Sequence, residues 1–452
     1  MHRVTPVPHA LAPALLLALA LATATAACSG GDDTTAPASP QGSSGGSSSG
    51  SSSSSSSSSG DGGAPGGGDG AATGDTGAPP IDGGGYGDEY GPWAGGAAYY
   101  AKFTNGPPSD PSFFPISVWL QDPALAKDYQ AIGVNHFVGL WNTPTTADLT
   151  TLGGAGEHTM VDQGAATLGL ASSNKTISGW THQDEPDNAQ PDGKGGYGPC
   201  IPASTIQSGY QTMQKADATR PIFLNLGQGV GNTGYVGRGS CSGIADYPDY
   251  CKGADIVSFD LYPINGKLDV GDVPLGVDRL GQWVNYQKPV WNWLECTRID
   301  QANPKPTPDQ VKTEVWMSIV HGSMGIGYFV HQFTPTEDDH ALLDDAAMKA
   351  AVGAINQQIK DLAPALNTPP IVNAATVATT GTKVDALVKR QGGKLYVLSV
   401  SMGAAATTAT ITVQRGPATK VTVLGENRSI SIQAGAFQDA FAGYAVHLYA
   451  VE

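Results

Sequence analysis

The sequence predicts a (β/α)8 barrel followed by a small C-terminal all-β sandwich. Between about residues 91 and 366, strand-like and helix-like runs alternate eight times, the size and rhythm of such a barrel. Two of the strand-like runs end in a glutamate, Glu185 and Glu295, and a proline directly after Glu185 forbids the ladder from continuing. After Pro369 the rhythm changes to short strands separated by glycine-containing turns. A doubly wound open sheet is the alternative, but it wants a phosphate-binding glycine turn after its first strand, and that turn is missing.

The chain of 452 residues begins with Arg3 and an apolar run over 10–22, too short to span a bilayer and of the length of a signal-peptide core. The run leads to Thr25-Ala26-Ala27-Cys28, small residues before a cysteine, which resembles a bacterial lipoprotein processing site. Residues 1–27 are therefore expected to be a signal peptide and Cys28 the lipid attachment site. An ordinary secretory signal cleaved near Ala27 is the other reading. Both take the protein out of the cytoplasm, to the cell surface or beyond. Residues 28–90 are nearly all Ser, Gly, Asp, Thr, Ala and Pro, with an unbroken serine run over 51–59. Such a segment has little to bury and cannot offset its ordering entropy. A flexible coil of this length reaches roughly 45 Å, enough for a tether.

The barrel is expected over 91–368. Its first strand is 114–119, followed by a helix over 122–132 that opens with Asp122 as N-cap and Pro123 at the first helical position. Strands are then expected at 134–141, 157–162 and 177–183, with helices at 145–152 and 165–172 between them. A helix over 203–216 leads to the fifth strand, 222–226, and then to a glycine-rich loop, 227–243. The sixth strand is 255–263 and its helix 277–286. The seventh strand ends at Glu295 and is followed by a helix over 308–320. The eighth is 325–331, with the last helix at 346–366. In the C-terminal module, 369–452, strands are expected at 384–390, 394–400, 409–413 and 445–450. This module has few aromatic residues spaced as a binding platform, so a structural cap on the barrel is preferred to a carbohydrate-binding role.

The formal net charge of −16 argues against nucleic acid or an anionic membrane surface as partner. Besides Cys28 there are Cys200, Cys241, Cys251 and Cys296, an even number that permits two disulfides outside the cell. If 242–252 is helical, Cys241 and Cys251 lie about 15 Å apart along the axis, too far to bond. Cys200 with Cys241 is the favoured pair. No zinc-type spacing occurs, and neither metal nor cofactor is expected.

In such a barrel the functional side chains gather at the C-terminal strand ends. These are Trp119, Trp141, Asp184, Glu185, Asn225, Asp260, Tyr262, Glu295, His331 and Gln332. Carboxylates and aromatics without a cation set suit sugars, whose C–H faces stack on rings and whose hydroxyls bind acids and amides. Trp180-x-x-x-Asp184-Glu185-Pro186, Asp217-x-x-Arg220-Pro221, the run 255–263 ending Asp260-Leu261-Tyr262-Pro263, and the strand-seven Glu295 together resemble clan A of the retaining glycoside hydrolases, of the family 5 and 42 kind, over residues 110–366. The resemblance implies Glu185 as general acid/base and Glu295 as nucleophile. It also implies that Tyr262 hydrogen-bonds Glu295, and that the two carboxyl groups lie ~5–5.5 Å apart. Retaining hydrolysis needs one carboxyl protonated to donate to the leaving oxygen and another ionised to attack C1. Asp184 stands where the clan usually carries an Asn that binds the sugar 2-hydroxyl, and places a like charge beside Glu185. Asp184, Tyr262, Trp141, Trp293, Asn225 and His331 are the expected substrate-binding residues, although Trp293 suits core packing equally.

The expected function is that of an extracellular, surface-anchored, monomeric β-glycosidase acting on a polysaccharide or oligosaccharide. Two other classes compete with it. One is a non-catalytic glycan-binding lipoprotein on the same scaffold. The other is a metal-dependent barrel hydrolase using Asp184, Asp260, Glu295 and a histidine.

Overall fold

Eight parallel strands close into one barrel, in chain order: β1 (Ile116–Gln121), β2 (His136–Leu140), β3 (His158–Asp162), β4 (Ile177–Thr181), β5 (Ile222–Leu226), β6 (Ile256–Asp260), β7 (Val290–Glu295) and β8 (Gly325–Phe329). β8 returns to β1 in the register Ile116↔Ile326. The computed structural model describes residues 87–194, 196–235, 243–414 and 418–452. The expected signal peptide, Cys28, almost all of the linker, and Cys241 lie outside the described residues. Among the described residues no helix is long and apolar enough to cross a membrane.

The helices named from here are α1 (Ala126–Ala131), α2 (Thr146–Gly154), α3 (Ala165–Ala171), α4 (Ala203–Ala216), α5 (Tyr247–Cys251), α6 (Asp272–Trp283), α7 (Pro308–Val320) and α8 (Ala346–Leu366). Several open where the sequence says they should. Thr145 and Asp148 make reciprocal capping bonds at the start of α2, and Thr307 with Gln310 does the same at α7. Asp122 caps a short 3-10 turn, Pro123–Leu125, that runs into α1.

Strands of a parallel barrel are covered on both faces and read as continuous buried runs. All six residues of β7 are buried. Trp291 and Trp293 point inward and pack with Val138, Met160, Phe223 and Ile256. Leu294 points outward, into the layer shared with the helices. Tyr99 and Tyr100, from the helix Gly96–Tyr100, join the inward cluster. The Tyr99 hydroxyl donates to the Asp255 carbonyl at 2.7 Å, and the Trp291 indole to the Tyr100 hydroxyl at 3.2 Å.

The C-terminal part is a sandwich of two antiparallel sheets. Its strands are β9 (Ala375–Thr379), β10 (Val384–Gln391), β11 (Lys394–Ser401), β12 (Thr407–Val413), β13 (Lys420–Val423), β14 (Arg428–Ser431), β15 (Ala436–Phe441) and β16 (Val446–Val451). One sheet has the order β9-β12-β15, the other β10-β11-β16-β13-β14. The larger sheet buries both faces by period two. Leu395 and Val397 face the sandwich interior, while Leu398 and Val400 belong to the barrel's own core. Glu89–Tyr90 pairs with Ile371–Val372, so ordered chain begins inside the stretch that composition assigns to the linker.

Two disulfides among the four downstream cysteines do not form. Cys251 and Cys296 are free, buried thiols. Burial pushes the Cys251 thiol up to about 12, which makes it unreactive. Cys200 is disulfide-bonded.

Candidate active site

β4 ends at Thr181, and the chain then turns across the C-terminal mouth of the barrel. Glu185 has a left-handed backbone, φ +42°, an uncommon conformation for a residue with a side chain and one found at functional turns. The turn is pinned from several sides. The Asn188 amide donates to the Glu185 carbonyl at 3.0 Å, the Gln190 side chain donates to the same carbonyl at 2.9 Å, and the Ile201 amide donates to the Pro186 carbonyl at 2.9 Å. Asp187 is buried and accepts from the Gly227 amide at 2.9 and 3.1 Å and from the Tyr247 hydroxyl at 3.0 Å. Burial, and then the charge of Glu185, pushes the Asp187 carboxyl up to about 7. Gly227 is needed here, because a Cβ would lie 2.6 Å from Asn188 Nδ2 and 2.9 Å from Glu185 Oε1.

Glu185 is only 6 % exposed and shares a hydrogen bond with Asp260 at the end of β6. Asn225, on β5 between them, is oriented by the Ser258 hydroxyl at 2.8 Å. Its amide donates to Asp184 at 2.9 Å and stands 3.4 Å from Asp260 Oδ1. Two carboxyl groups thus meet one amide, and a third, Glu185, is bonded to the second of them. Burial, and then the charges of Glu185, Asp184 and Asp187, holds the Asp260 carboxyl far above the usual carboxylate range.

Aromatic rings complete the mouth. Trp119 stands edge-on to Trp293 at 4.9 Å, Tyr262 lies 5.2 Å from Phe329, and His331 lies 5.7 Å from Trp141. Trp141 is the open member, 38 % exposed. His331 is buried, donates from Nε2 to the Trp119 carbonyl at 3.0 Å and is kept neutral by burial. Burial and then the charge of Asp260 raise the Tyr262 phenol, which stays protonated. Asp184, Glu185 and Glu295 act on Tyr262 in the same direction, so carboxylates from the ends of β4, β6 and β7 surround this ring.

Glu295 occupies a different environment from the one the sequence implies. Its side chain is fully buried. One oxygen accepts from the Ile264 amide at 2.5 Å, and the other from the Asn265 amide at 2.7 Å and from the Asn265 side chain. These donors come from the short helix Pro263–Gly266, directly after Tyr262. Among the described residues the Tyr262 hydroxyl is not a partner of Glu295; the expected bond is replaced by those to Ile264 and Asn265. Burial pushes the Glu295 carboxyl up to about 7, against these three donors, which pull it down. Trp293 also departs from the cleft. It is 2 % exposed, its indole donates to Ser258 at 3.3 Å, and it supports Trp119 from below.

Sequence reasoning placed Glu185, Asp184, Asn225, Tyr262, Trp141 and His331 at this end of the barrel, and the structure brings them there. It missed Asp187, whose signal was the Glu-Pro-Asp run, and Asn265, which carries none. Among the described residues the grouping able to offer three ligands to one metal ion is Asp338, Asp339 and His340, not Asp184, Asp260 and Glu295 with a histidine.

No family model matches this chain, and no curated protein does. Similar solved structures include a GH30 endoxylanase from Clostridium papyrosolvens C71, 13 % identical, with a TM-score of 0.46 over 81 % of this chain and 98 % of that one. An alpha-amylase from Geobacillus thermoleovorans is 12 % identical, with a TM-score of 0.47 over 75 % of this chain and 98 % of that one. A glucosidase from Croceicoccus marinus is 12 % identical, with a TM-score of 0.42 over 77 % and 98 %.

Proposed function

We propose that this protein is a glycoside hydrolase that cleaves O-glycosidic bonds in a polysaccharide or oligosaccharide, with Glu185 as the proton donor. The observation that carries this reading is that Asp184 and Asp260 meet at Asn225, Glu185 is bonded to Asp260, and Trp119, Trp141 and Tyr262 stand at the same mouth of the barrel. The rings stack a sugar, the amide and Asp184 bind its hydroxyls, and Glu185 protonates the leaving oxygen. In double displacement Glu295 is the nucleophile. The Ile264 and Asn265 donors then aim it and pull its carboxyl down against burial, and its attack on C1 gives up at least one of them.

One observation favours a second role for Glu295: it is fully buried and both its oxygens are bonded. On that reading it fixes the Pro263–Gly266 turn and hence Tyr262, and the carboxylate facing the anomeric carbon comes from β4 or β6.

The test is reducing-sugar release from β-glucans, mannans, galactans and xylans. Glu185→Gln is expected to lower kcat by about 10²–10⁴ while glycan binding is kept. Binding without release from any of these, in wild type as in variant, establishes a glycan-binding protein instead. Glu295→Ala rescued by azide, with a glycosyl azide as product, identifies the nucleophile; a turning-over Glu295→Gln with a lowered Tm identifies the structural role.

We further propose export, a lipid on Cys28, a tether over residues 28–90, and Cys241 as the disulfide partner of Cys200. Radiolabelled palmitate incorporation lost in Cys28→Ser tests the anchor, and peptide mapping without reductant tests the disulfide.

A further inference from the structure

Outside the barrel mouth, the molecule holds buried carboxyls at Glu157 and Glu314, a histidine between two aspartates at His321, and the group Asp338, Asp339 and His340. Within the mouth, Asp260 does work that the proposed reaction has not yet used.

We infer that Asp260 is a positioning residue that shares one proton with Glu185, so that the acid delivered to the leaving oxygen belongs to the pair. This rests on the glycosidase reading. Asp260 is 8 % exposed and shares a hydrogen bond with Glu185. Two carboxyl groups can bond to each other only if one of them keeps its proton. Asn225 holds the arrangement from β5, with its carbonyl fixed by Ser258 and its amide reaching Asp184 and Asp260. The other groups facing the pair are Asp184 and Asp187 from the turn after β4, and Tyr262, which Glu295 approaches from β7. None of these is a cation, so the negative neighbours oppose ionisation of both members together. Burial acts in the same direction. As the C1–O bond breaks, the leaving oxygen takes the shared proton through Glu185, and both members of the pair are then carboxylates. The proton of the incoming water later restores the pair.

The test is carboxyl ¹³C NMR of the full chain labelled at Asp and Glu side chains, titrated from pH 3 to 9. In wild type the Glu185 resonance is expected to follow two steps at least ~1 pH unit apart, the mark of strongly interacting sites. In Asp260→Asn it should follow one step, because the second charge is gone. In Glu185→Gln the Asp260 resonance should move to lower pH, which serves if Asp260→Asn does not fold. With whichever glycan of the panel is cleaved, Asp260→Asn should move the basic limb of kcat/KM to lower pH. An unchanged Glu185 titration in Asp260→Asn, or an unchanged Asp260 titration in Glu185→Gln, overturns the inference. Absence of glycan cleavage with two-step titration intact overturns the glycosidase reading and leaves the shared proton standing.

Discussion

Arg220, from the Asp-x-x-Arg-Pro run of the sequence, ties neighbouring barrel strands together. Its guanidinium donates to the Ile177 carbonyl at 2.7 Å, the Ala171 carbonyl at 2.7 Å and Asp217 at 2.7 Å, over the face of Trp180. Asp217 also accepts from the Trp180 indole at 3.2 Å. The Asp-x-x-Arg-Pro run is thus a clamp at the lower ends of β4 and β5, which share only the pairs Trp180↔Ile222 and Thr181↔Phe223. Arg220→Met removes the cation paired with Asp217, leaving it the Trp180 and Thr219 donors, and is expected to cost about 3–5 kcal/mol in urea unfolding, the range for breaking a buried pair. A cost under about 1 kcal/mol would remove the clamp from the account. Glu157 gives a pH dependence at the same scale. It is buried, both its oxygens lack hydrogen-bond partners, and burial pushes it up to about 9 from 4.5. The folded state therefore holds a proton that the unfolded chain releases. That stability is complete below pH 4.5 and lost as pH rises through about 9. Glu157→Gln should flatten the fall in Tm between pH 5 and 9.

At the scale of elements, β8 is legible from its partner. β8 reads Gly325-Ile326-Gly327 opposite Trp291 and Trp293. A Cβ at Gly327 would lie 2.1 Å from the Trp293 ring, and one at Gly325 2.6 Å from Trp291. The two large indoles fill the barrel because the adjacent strand supplies no side chains. Gly327→Ala should destabilise by about 1–3 kcal/mol through overpacking and change the near-ultraviolet tryptophan signal, since Trp293 must move. The same periodicity explains why all eight barrel strands were readable in the sequence, and a buried run opened by a capping box did the same for the helix Pro308–Val320. Four sandwich strands were not. Arg428–Ser431 and Ala375–Thr379 are short, and alternate half-buried with exposed positions, which reads as loop. In the site, strand-end residues were found by position alone. The sealing of Glu295 was not, because Pro263–Gly266 is one turn long and has no period to detect.

At the scale of the molecule, the sandwich completes the barrel's core instead of hanging from it. Leu398, Val400, Val446 and Leu448 share one apolar cluster with α7 and α8. Lys389, fully buried, donates to the carbonyls of Leu366 and Thr368 at 3.2 and 2.5 Å, closing the end of α8, and lies over the Trp93 ring. Thr313 on α7 donates to the Tyr444 carbonyl at 2.8 Å. His321, at the end of α7, stands 3.0 Å from Asp278 on α6 and 3.3 Å from Asp385 on β10. Burial alone would lower His321, but the bonds to Asp278 and Asp385 outweigh it and raise it to about 9. Its contribution is therefore complete below pH 6.5 and lost as pH rises through about 9. Asp385→Asn should then lower Tm at pH 6 more than at pH 10. These contacts also predict how the chain divides. Ending it at Thr368 uncovers the apolar face of α7 and leaves the last carbonyls of α8 without Lys389. The full chain should unfold in one calorimetric transition with equal calorimetric and van't Hoff enthalpies. The shortened chain should bind a hydrophobic dye and lack a cooperative melt. A shortened chain that melts cooperatively near the Tm of the whole would make the sandwich an appendage, and the shared core would then contribute nothing to holding the mouth of the barrel in shape.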